Sequence, residues 1–326
     1  MTNGNPMHYL VTGGGGFIGS HIVEELLRRG QRVRVLDNFA TGKRENLVFP
    51  GIAEVRQNLE IREGDIRDEA GVRSAMEGID YVLHQAALPS VPRSIADPVS
   101  TNEVNVRGTL NILLAARDAG VKRLVFASSS SVYGNSVVSP KHEDLPTNPL
   151  SPYAVSKLAG ERYCIAFHLA YQMPTACIRY FNVFGPRQDP KSQYSAVIPR
   201  FTTALLEGKP PTIYGDGLQS RDFTYVSNVV HANLLACTCD DAIGRVMNVA
   251  CGDEHSLLQL HEELSKVIGA HVDPIFEPAR TGDVKHSRAA VDLAKRLLGY
   301  SPLVAWEEGV RRTAAFYRDM KGQEVA

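Results

Sequence analysis

Residues 8–19 read HYLVTGGGGFIG: a short apolar run, four glycines, and then a segment to Arg29 in which Ile18, Ile22, Val23, Leu26 and Leu27 recur at helical spacing. Strand, turn and helix follow one another directly. Gly13, Gly16 and Gly19 make a GxxGxxG spacing at the junction. Without side chains there, the backbone can approach a pyrophosphate, and the N–H groups that open the helix bind the anion. A glycine-rich turn of no special function would look the same in isolation, so the surroundings decide. Asp37 closes the next apolar strand. A carboxylate at that point accepts from both ribose hydroxyls and repels a 2′-phosphate, which favours NAD over NADP.

The alternation continues downstream. Gln31–Asp37, Leu59–Asp65, Tyr81–Gln85 and Arg123–Ala127 are predicted strands, and Asn105–Ala119 and Tyr153–Tyr171 are predicted helices. Repeated βα units imply a doubly wound parallel sheet, an α/β fold of the Rossmann type. Beyond about residue 182 the pattern loosens into Pro-, Gly- and Tyr-rich loops with short strands such as Phe223–Val226 and Val246–Val249. We expect residues 1–181 to form the NAD-binding domain and residues 182–326 a smaller C-terminal α/β lobe for the substrate, with chain segments interleaving.

Composition narrows the function. Thirty-five Lys and Arg against 36 Asp and Glu leave a net charge of −1, no field for a nucleic-acid backbone. The five cysteines contain no CxxC pair and the ten histidines no HExxH, so neither a disulfide framework nor a metal site is expected. No apolar run is long enough to span a membrane, and the polar N-terminus lacks a leader pattern; a soluble protein of a reducing cytoplasm is the expectation.

Tyr153 and Lys157 stand four apart, on one face of a helix. An ammonium there is expected to stabilise a phenolate and lower the tyrosine pKa from about 10, making a general base. A YxxxK pair alone is common as surface decoration. Here the cluster Ser128–Ser131 directly follows the strand Arg123–Ala127, at the sheet edge where Rossmann ligands lie, and its hydroxyls could bridge a reacting alcohol to Tyr153.

At this point the chain resembles the extended short-chain dehydrogenase/reductase family, in particular its nucleotide-sugar epimerases and dehydratases. The resemblance rests on TGGGGFIGSH at 12–21, HQAA at 84–87, SSSSVYG at 128–134, SPYAVSK at 151–157, RYFNVFGPRQ at 179–188 and SRDFTYV at 220–226. It implies an NAD site lined by Phe17, Ile18, Asp37, Asn38, Gly42, Asp65 and Ile66 from the first half of the fold. Gln85, Ala86, Ala87, Asn105 and Tyr180 complete it. By its chemistry alone Asp65 is equally a surface-turn aspartate; its hydrogen bond from the adenine amino group rests on the resemblance. The resemblance also makes Ser129 the catalytic hydroxyl beside Tyr153 and Lys157.

Dehydratases of the family carry Thr-Asp-Glu before the VYG segment, where this chain has Ser129, Ser130 and Ser131. Without two carboxylates, elimination of water lacks its proton carriers, whereas reversible oxidation at C4 needs only the Ser-Tyr-Lys set and NAD. The resemblance therefore implies C4 epimerisation of a UDP-hexose with tightly bound, regenerated NAD. It also implies that Arg221 and Arg280 clamp the diphosphate, Asn182 contacts the diphosphate-sugar, Tyr214 covers the uracil and Asp283 accepts from the uridine ribose. Ser90 is placed near the sugar, although it reads equally as a plain loop serine. Ser287 stands where UDP-hexose epimerases carry a bulky tyrosine, leaving room for an N-acetyl group, so UDP-GlcNAc and UDP-GalNAc are expected substrates alongside UDP-Glc and UDP-Gal. A UDP-glucuronate 4-epimerase or decarboxylase is the alternative, with Arg93 as the nearby cation for a sugar carboxylate; a non-catalytic NAD-binding redox sensor is a third reading, against which the intact Tyr and Lys argue. A homodimer through the exposed faces of Asn105–Ala119 and Tyr153–Tyr171 is expected.

Overall fold

The computed structural model describes residues 5–190, 197–279 and 285–325. Its centre is a seven-stranded parallel sheet of β1 (His8–Thr12), β2 (Arg32–Asp37), β3 (Leu59–Glu63), β4 (Tyr81–His84), β5 (Arg123–Ser129), β6 (Thr175–Tyr180) and β7 (Arg245–Val249). The spatial order is β7-β6-β5-β4-β1-β2-β3. The order reverses between β1 and β4, the position at whose carboxyl edge doubly wound sheets take ligands.

The first strand shows why an uninterrupted apolar run is required. Tyr9 and Val11 pack on one face with Ile22, Val23, Leu26 and Leu27 of α1 (Phe17–Arg28). Leu10 turns to the other face, against Val72 and Met76 of α2 (Glu69–Met76) and Ile112 of α3 (Thr109–Asp118). Both faces of the sheet are covered, so both sets of alternating side chains must be apolar. The long helix α4 (Pro152–Tyr171) covers the second face through Cys164 and Phe167.

Three features differ from the sequence reading. The strand near 246–249, expected in the smaller lobe, is the outermost strand of the central sheet, in register with Ala176–Tyr180. Its Met247 and Val249 join the first core face and Val246 the second, so pairing with β6 buries both sides of an apolar strand. The helix expected over 105–119 begins as a single π-turn, Glu103–Gly108, before α3. The Thr109 hydroxyl donates to the Asn105 carbonyl at 2.6 Å, and Gly108 lies so close to Ile66 that a Cβ would come within 2.5 Å of its Cδ1. Nor does α3 carry an exposed apolar stripe: it lies on the sheet between α2 and α4, with Ile112, Leu113, Ala115 and Ala116 buried and Leu110 and Leu114 half-buried. The exposed apolar residues come instead from the preceding short helices, as Ile95 and Val99, and from α4, as Val155 and Leu169.

The smaller lobe packs the helices Val197–Leu206, Leu257–Ile268 and Trp306–Val325 around a core that includes Phe201, Ile213, Leu260 and Val310. Within it the short strand Ser220–Arg221 pairs with His255–Ser256 on one side and His286–Ser287 on the other, setting Arg221 opposite Ser287. Among the described residues no helix is long and apolar enough to cross a membrane, and no cluster of ligating side chains could hold a metal ion.

Candidate active site

The turn after β1 has no room for side chains. Gly13 sits at φ +68, and a Cβ there would approach the Ala86 backbone nitrogen to 2.7 Å; a Cβ on Gly19 would lie 2.1 Å from the Gly13 carbonyl oxygen. Gly16 caps α1 without a side-chain hydrogen bond, which leaves the opening N–H groups of the helix to a ligand. Asp37 is buried at the end of β2, where Oδ2 accepts from the Gly15 N–H and Oδ1 from the Phe39 N–H, both at 2.8 Å. Gly42 closes on the same carboxylate, 3.0 Å from where its Cβ would stand. These are the walls a dinucleotide needs: open N–H groups for its phosphates and a fixed carboxylate for a ribose.

One cavity of about 940 Å3 collects the expected dinucleotide residues, from Gly13, Gly16, Phe17, Ile18 and Gly19 through Asn38, Gly42, Ile66, Gln85, Ala86 and Ala87 to Tyr180. Asp37, Asp65, Tyr153 and Lys157 open onto it as well. Asn105 stands behind the wall rather than in it. Its amide is buried and spent on the Leu88 backbone, accepting at 2.7 Å and donating at 3.1 Å, and on the Ser156 hydroxyl at 3.0 Å. Asp65 is more heavily engaged than the sequence reading allowed. It accepts from the backbone and guanidinium of Arg67 and from Asn38, four donors in all, and the Arg67 guanidinium holds its carboxyl down at about 2. Those donors take up a carboxylate's usual acceptor capacity, so a further bond from an adenine amino group requires one of them to yield.

The catalytic side is built from β5 and α4. Ser151 caps α4 by accepting from the Ala154 N–H at 3.2 Å, with Pro152 in the first turn, and this entry angle sets Tyr153 against the end of β5. Ser129, the last residue of β5, stands beside the phenol. Lys157 is buried too, and its Nζ donates to the Ala127 carbonyl at 2.9 Å and lies 6.0 Å from the centre of the Tyr153 ring. Here the expected electrostatics are corrected. Burial raises the phenol above its ordinary value, with Ser129 pulling the other way, and burial brings Lys157 down to about 8. The Lys157 ammonium is committed to the Ala127 carbonyl. His84, of the HQAA segment, is fully buried between the Thr12 and Thr109 hydroxyls at 2.7 and 3.0 Å; burial lowers it to about 3, so it is neutral at physiological pH.

Toward the smaller lobe a second cavity of about 280 Å3 is lined by Asn182, Tyr214 and Arg221, together with Gln219. Arg221 donates to the carbonyls of Ser220 and Lys285, which braces its guanidinium along the strand. Ser287 is buried beside it. Ser90 and Arg93 line the larger cavity. Ser90 holds a non-glycine backbone at φ +97 and accepts from the Arg93 N–H at 3.3 Å. Ser130 and Ser131 belong to the 3-10 turn after β5, and the buried Ser131 Oγ has no hydrogen-bond partner among the described residues. Arg280 and Asp283 lie outside the described residues.

Two groups escaped the sequence reading. Asp222, next to Arg221, is buried and accepts from the N–H groups of Cys251, Gly252 and Ala289, tying β7 to the strand that carries Ser287; burial pushes its carboxyl up to about 7. Glu161 and Arg179 form a buried bidentate pair at 2.8 Å behind the serine cluster. The available signal for Glu161 was its place two turns after Tyr153 on one helix face.

A family model described as the NAD dependent epimerase/dehydratase family matches residues 9–250. The chain belongs to this family. It is 40% identical over 316 residues to the UDP-glucose 4-epimerase of Mycolicibacterium smegmatis, covering 96% of this chain and 99% of that one. Among solved structures it resembles the UDP-N-acetylglucosamine 4-epimerase of Methanobrevibacter ruminantium in complex with UDP-N-acetylmuramic acid (TM-score 0.91, 40% identity, 97% and 99% of the two chains). It also resembles the UDP-glucose 4-epimerase of Thermus thermophilus in complex with NAD (TM-score 0.85, 39% identity, 96% and 99%). For a member of this family, the open helix terminus, the buried Asp37 and the Tyr153–Lys157 pair, all on one cavity, fit NAD.

Proposed function

We propose that this chain interconverts the C4 epimers of a UDP-hexose, with UDP-GlcNAc and UDP-GalNAc as the preferred pair and UDP-Glc and UDP-Gal also accepted. The observation that carries the reading is that Tyr153 and Lys157, one turn apart on α4, open together with Ser128 at the end of β5 onto the cavity of the dinucleotide turn. Tyr153 takes the proton of the sugar's 4-hydroxyl while Ser129 holds both oxygens in line. NAD⁺, when bound, supplies the acceptor and then the donor of the C4 hydride, and its positive ring favours the phenolate. The 4-keto sugar turns within the site, and Tyr153 returns the proton to the alkoxide formed on the other face. Lys157, hydrogen-bonded to the Ala127 carbonyl, is a fixed donor toward the cofactor side of the phenol. Arg221, Asn182 and Tyr214 in the second cavity suit the diphosphate and base. The small, buried Ser287 opposite Arg221 supports an N-acetyl group. Arg280 and Asp283 complete the same UDP site in this reading.

Residues 1–181 with the helix Val226–Thr238, β7 and the helix Asp292–Leu298 serve as the cofactor domain and the remainder as the substrate lobe. The exposed Ile95, Val99 and Val155 form an apolar face we assign to a homodimer, and sedimentation as a monomer at micromolar concentration contradicts that assignment.

The test is product separation after incubating purified protein with UDP-GlcNAc and, separately, UDP-Glc, with no added NAD. Appearance of UDP-GalNAc, faster than UDP-Gal from UDP-Glc, is expected; conversion of neither sugar, even after NAD is added, overturns the reading.

A further inference from the structure

Three consecutive residues at the end of β5 each face a different turn of α4. The Ala127 carbonyl accepts from Lys157 at 2.9 Å, the Ser128 hydroxyl donates to Glu161 Oε1 at 2.5 Å, and Ser129 stands beside Tyr153. The middle contact differs from the other two in that neither partner is a member of the Ser-Tyr-Lys set. Glu161 is 1% exposed and also receives both forks of Arg179, Nε on Oε1 and Nη2 on Oε2, each at 2.8 Å. Arg179 lies on β6, one residue before Tyr180 of the cavity wall, with its guanidinium carbon 4.7 Å from the centre of the Tyr133 ring. The Tyr133 hydroxyl in turn donates to Asn248 of β7 at 2.8 Å. One carboxylate thus joins the catalytic helix to two strands of the sheet and, through Tyr133, reaches a third.

We propose that Glu161 is a positioning residue: by holding Ser128 and Arg179 together it sets where the end of β5 lies against α4, and so fixes the Ser129–Tyr153 contact. A buried ion pair adds little net stability, because desolvation offsets the attraction, but a bidentate carboxylate–guanidinium pair fixes both distance and angle. The neighbouring packing transmits that constraint with little slack. A Cβ on Gly160, adjacent to Glu161, would come within 2.3 Å of the Phe126 ring, so α4 rests directly on β5.

This inference rests on the proposed epimerase reading for its kinetic arm only. The groups facing the phenol are Ser129 from β5 and Lys157 from α4; the elements packed around α4 also carry the neutral His84, Arg93 of the helix Val91–Ala96, Glu103 and Arg107 of the π-turn, Tyr133, Tyr180 and the Glu161–Arg179 pair itself. If the strand end slips, the phenol loses the one interaction that opposes its burial, and its titration moves to higher pH. The experiment compares Ser128→Ala, which removes one hydroxyl, and Glu161→Gln in the NAD-loaded protein. Steady-state kinetics with UDP-GlcNAc are expected to show kcat lowered about tenfold in each, with KM within about twofold, and the acidic limb of kcat moved upward in pH. In parallel, 13Cζ-tyrosine NMR, with the Tyr153 signal assigned by its loss in Tyr153→Phe, is expected to show the same upward movement of the titration. A lowered melting temperature with unchanged kcat, pH limb and Tyr153 titration makes Glu161 merely structural and overturns the proposal. If Glu161→Gln does not fold, Ser128→Ala decides alone. If the wild type converts no UDP-sugar, the epimerase reading falls and the NMR titration decides the positioning role by itself.

Discussion

Tyr153→Phe lowers kcat for UDP-sugar epimerisation by about 10³-fold, within the range that general acid–base catalysis by one side chain supplies, and leaves bound NAD at wild-type stoichiometry. In the proposed reaction the phenol oxygen is the atom through which the 4-hydroxyl proton leaves and returns, and neither close neighbour replaces it. Ser129 has no basicity of its own, and the Lys157 ammonium already donates to the Ala127 carbonyl. Most of the residues proposed to hold the cofactor, at the glycine turn, at Asp37 and along the walls to Tyr180, are untouched by the substitution, so retention is expected. Turnover is read by product separation and NAD by chromatography of the cofactor released on denaturation. Turnover within tenfold of wild type removes Tyr153 from the base role, and loss of NAD together with activity makes its role one of cofactor binding.

Gly19→Ala abolishes NAD retention and destabilises the fold by about 3 kcal/mol or more, the upper range for an overpacked core. The added methyl would stand 2.1 Å from the Gly13 carbonyl oxygen, and that same oxygen accepts the Gly16 N–H at 3.1 Å. The carbonyl cannot retreat without opening the turn, because Gly13 is itself held against Ala86. Relief must come from α1 moving away from the phosphate turn, which takes the helix terminus from its ligand. Gly322→Ala, where nothing lies within 4 Å of the new methyl in the last helix, is the matched control and is expected to stabilise slightly. Thermal unfolding and NAD content measure both variants. A Gly19→Ala protein that keeps NAD at wild-type melting temperature contradicts the close-packing argument.

The parts of the molecule legible in sequence are those governed by local chemistry. Four glycines between an apolar run and a helical pattern define a phosphate turn wherever they occur, and Asp37 is placed by the strand that precedes it. Tyr153 and Lys157 share a face because a helix repeats every 3.6 residues. Extents were harder. The π-turn at Glu103–Gly108 arises from the Thr109 hydroxyl and the close approach of Ile66, a contact with a segment far away in the chain. For the same reason α3 shows no exposed apolar stripe: it lies on the sheet between α2 and α4, which leaves Leu110 and Leu114 half-buried.

What the sequence by itself determined is the doubly wound fold, the glycine turn with its carboxylate, and the identity of the serine, tyrosine and lysine that meet at the sheet edge. Only the tertiary structure decided that β7 completes the central sheet from beyond the substrate segments, that Asn105 braces a loop instead of lining the cavity, and that Asp65 is already bound to Arg67. It also decided how the catalytic groups titrate. A helical spacing brings an ammonium near a phenol, but where the ammonium points and how deeply the phenol is buried depend on Ala127, Ser129 and Phe126, which arrive from another strand. Charge and hydrogen bonding at a buried site act over a few ångströms, and distances of that order are set by packing between elements that sequence separation does not report.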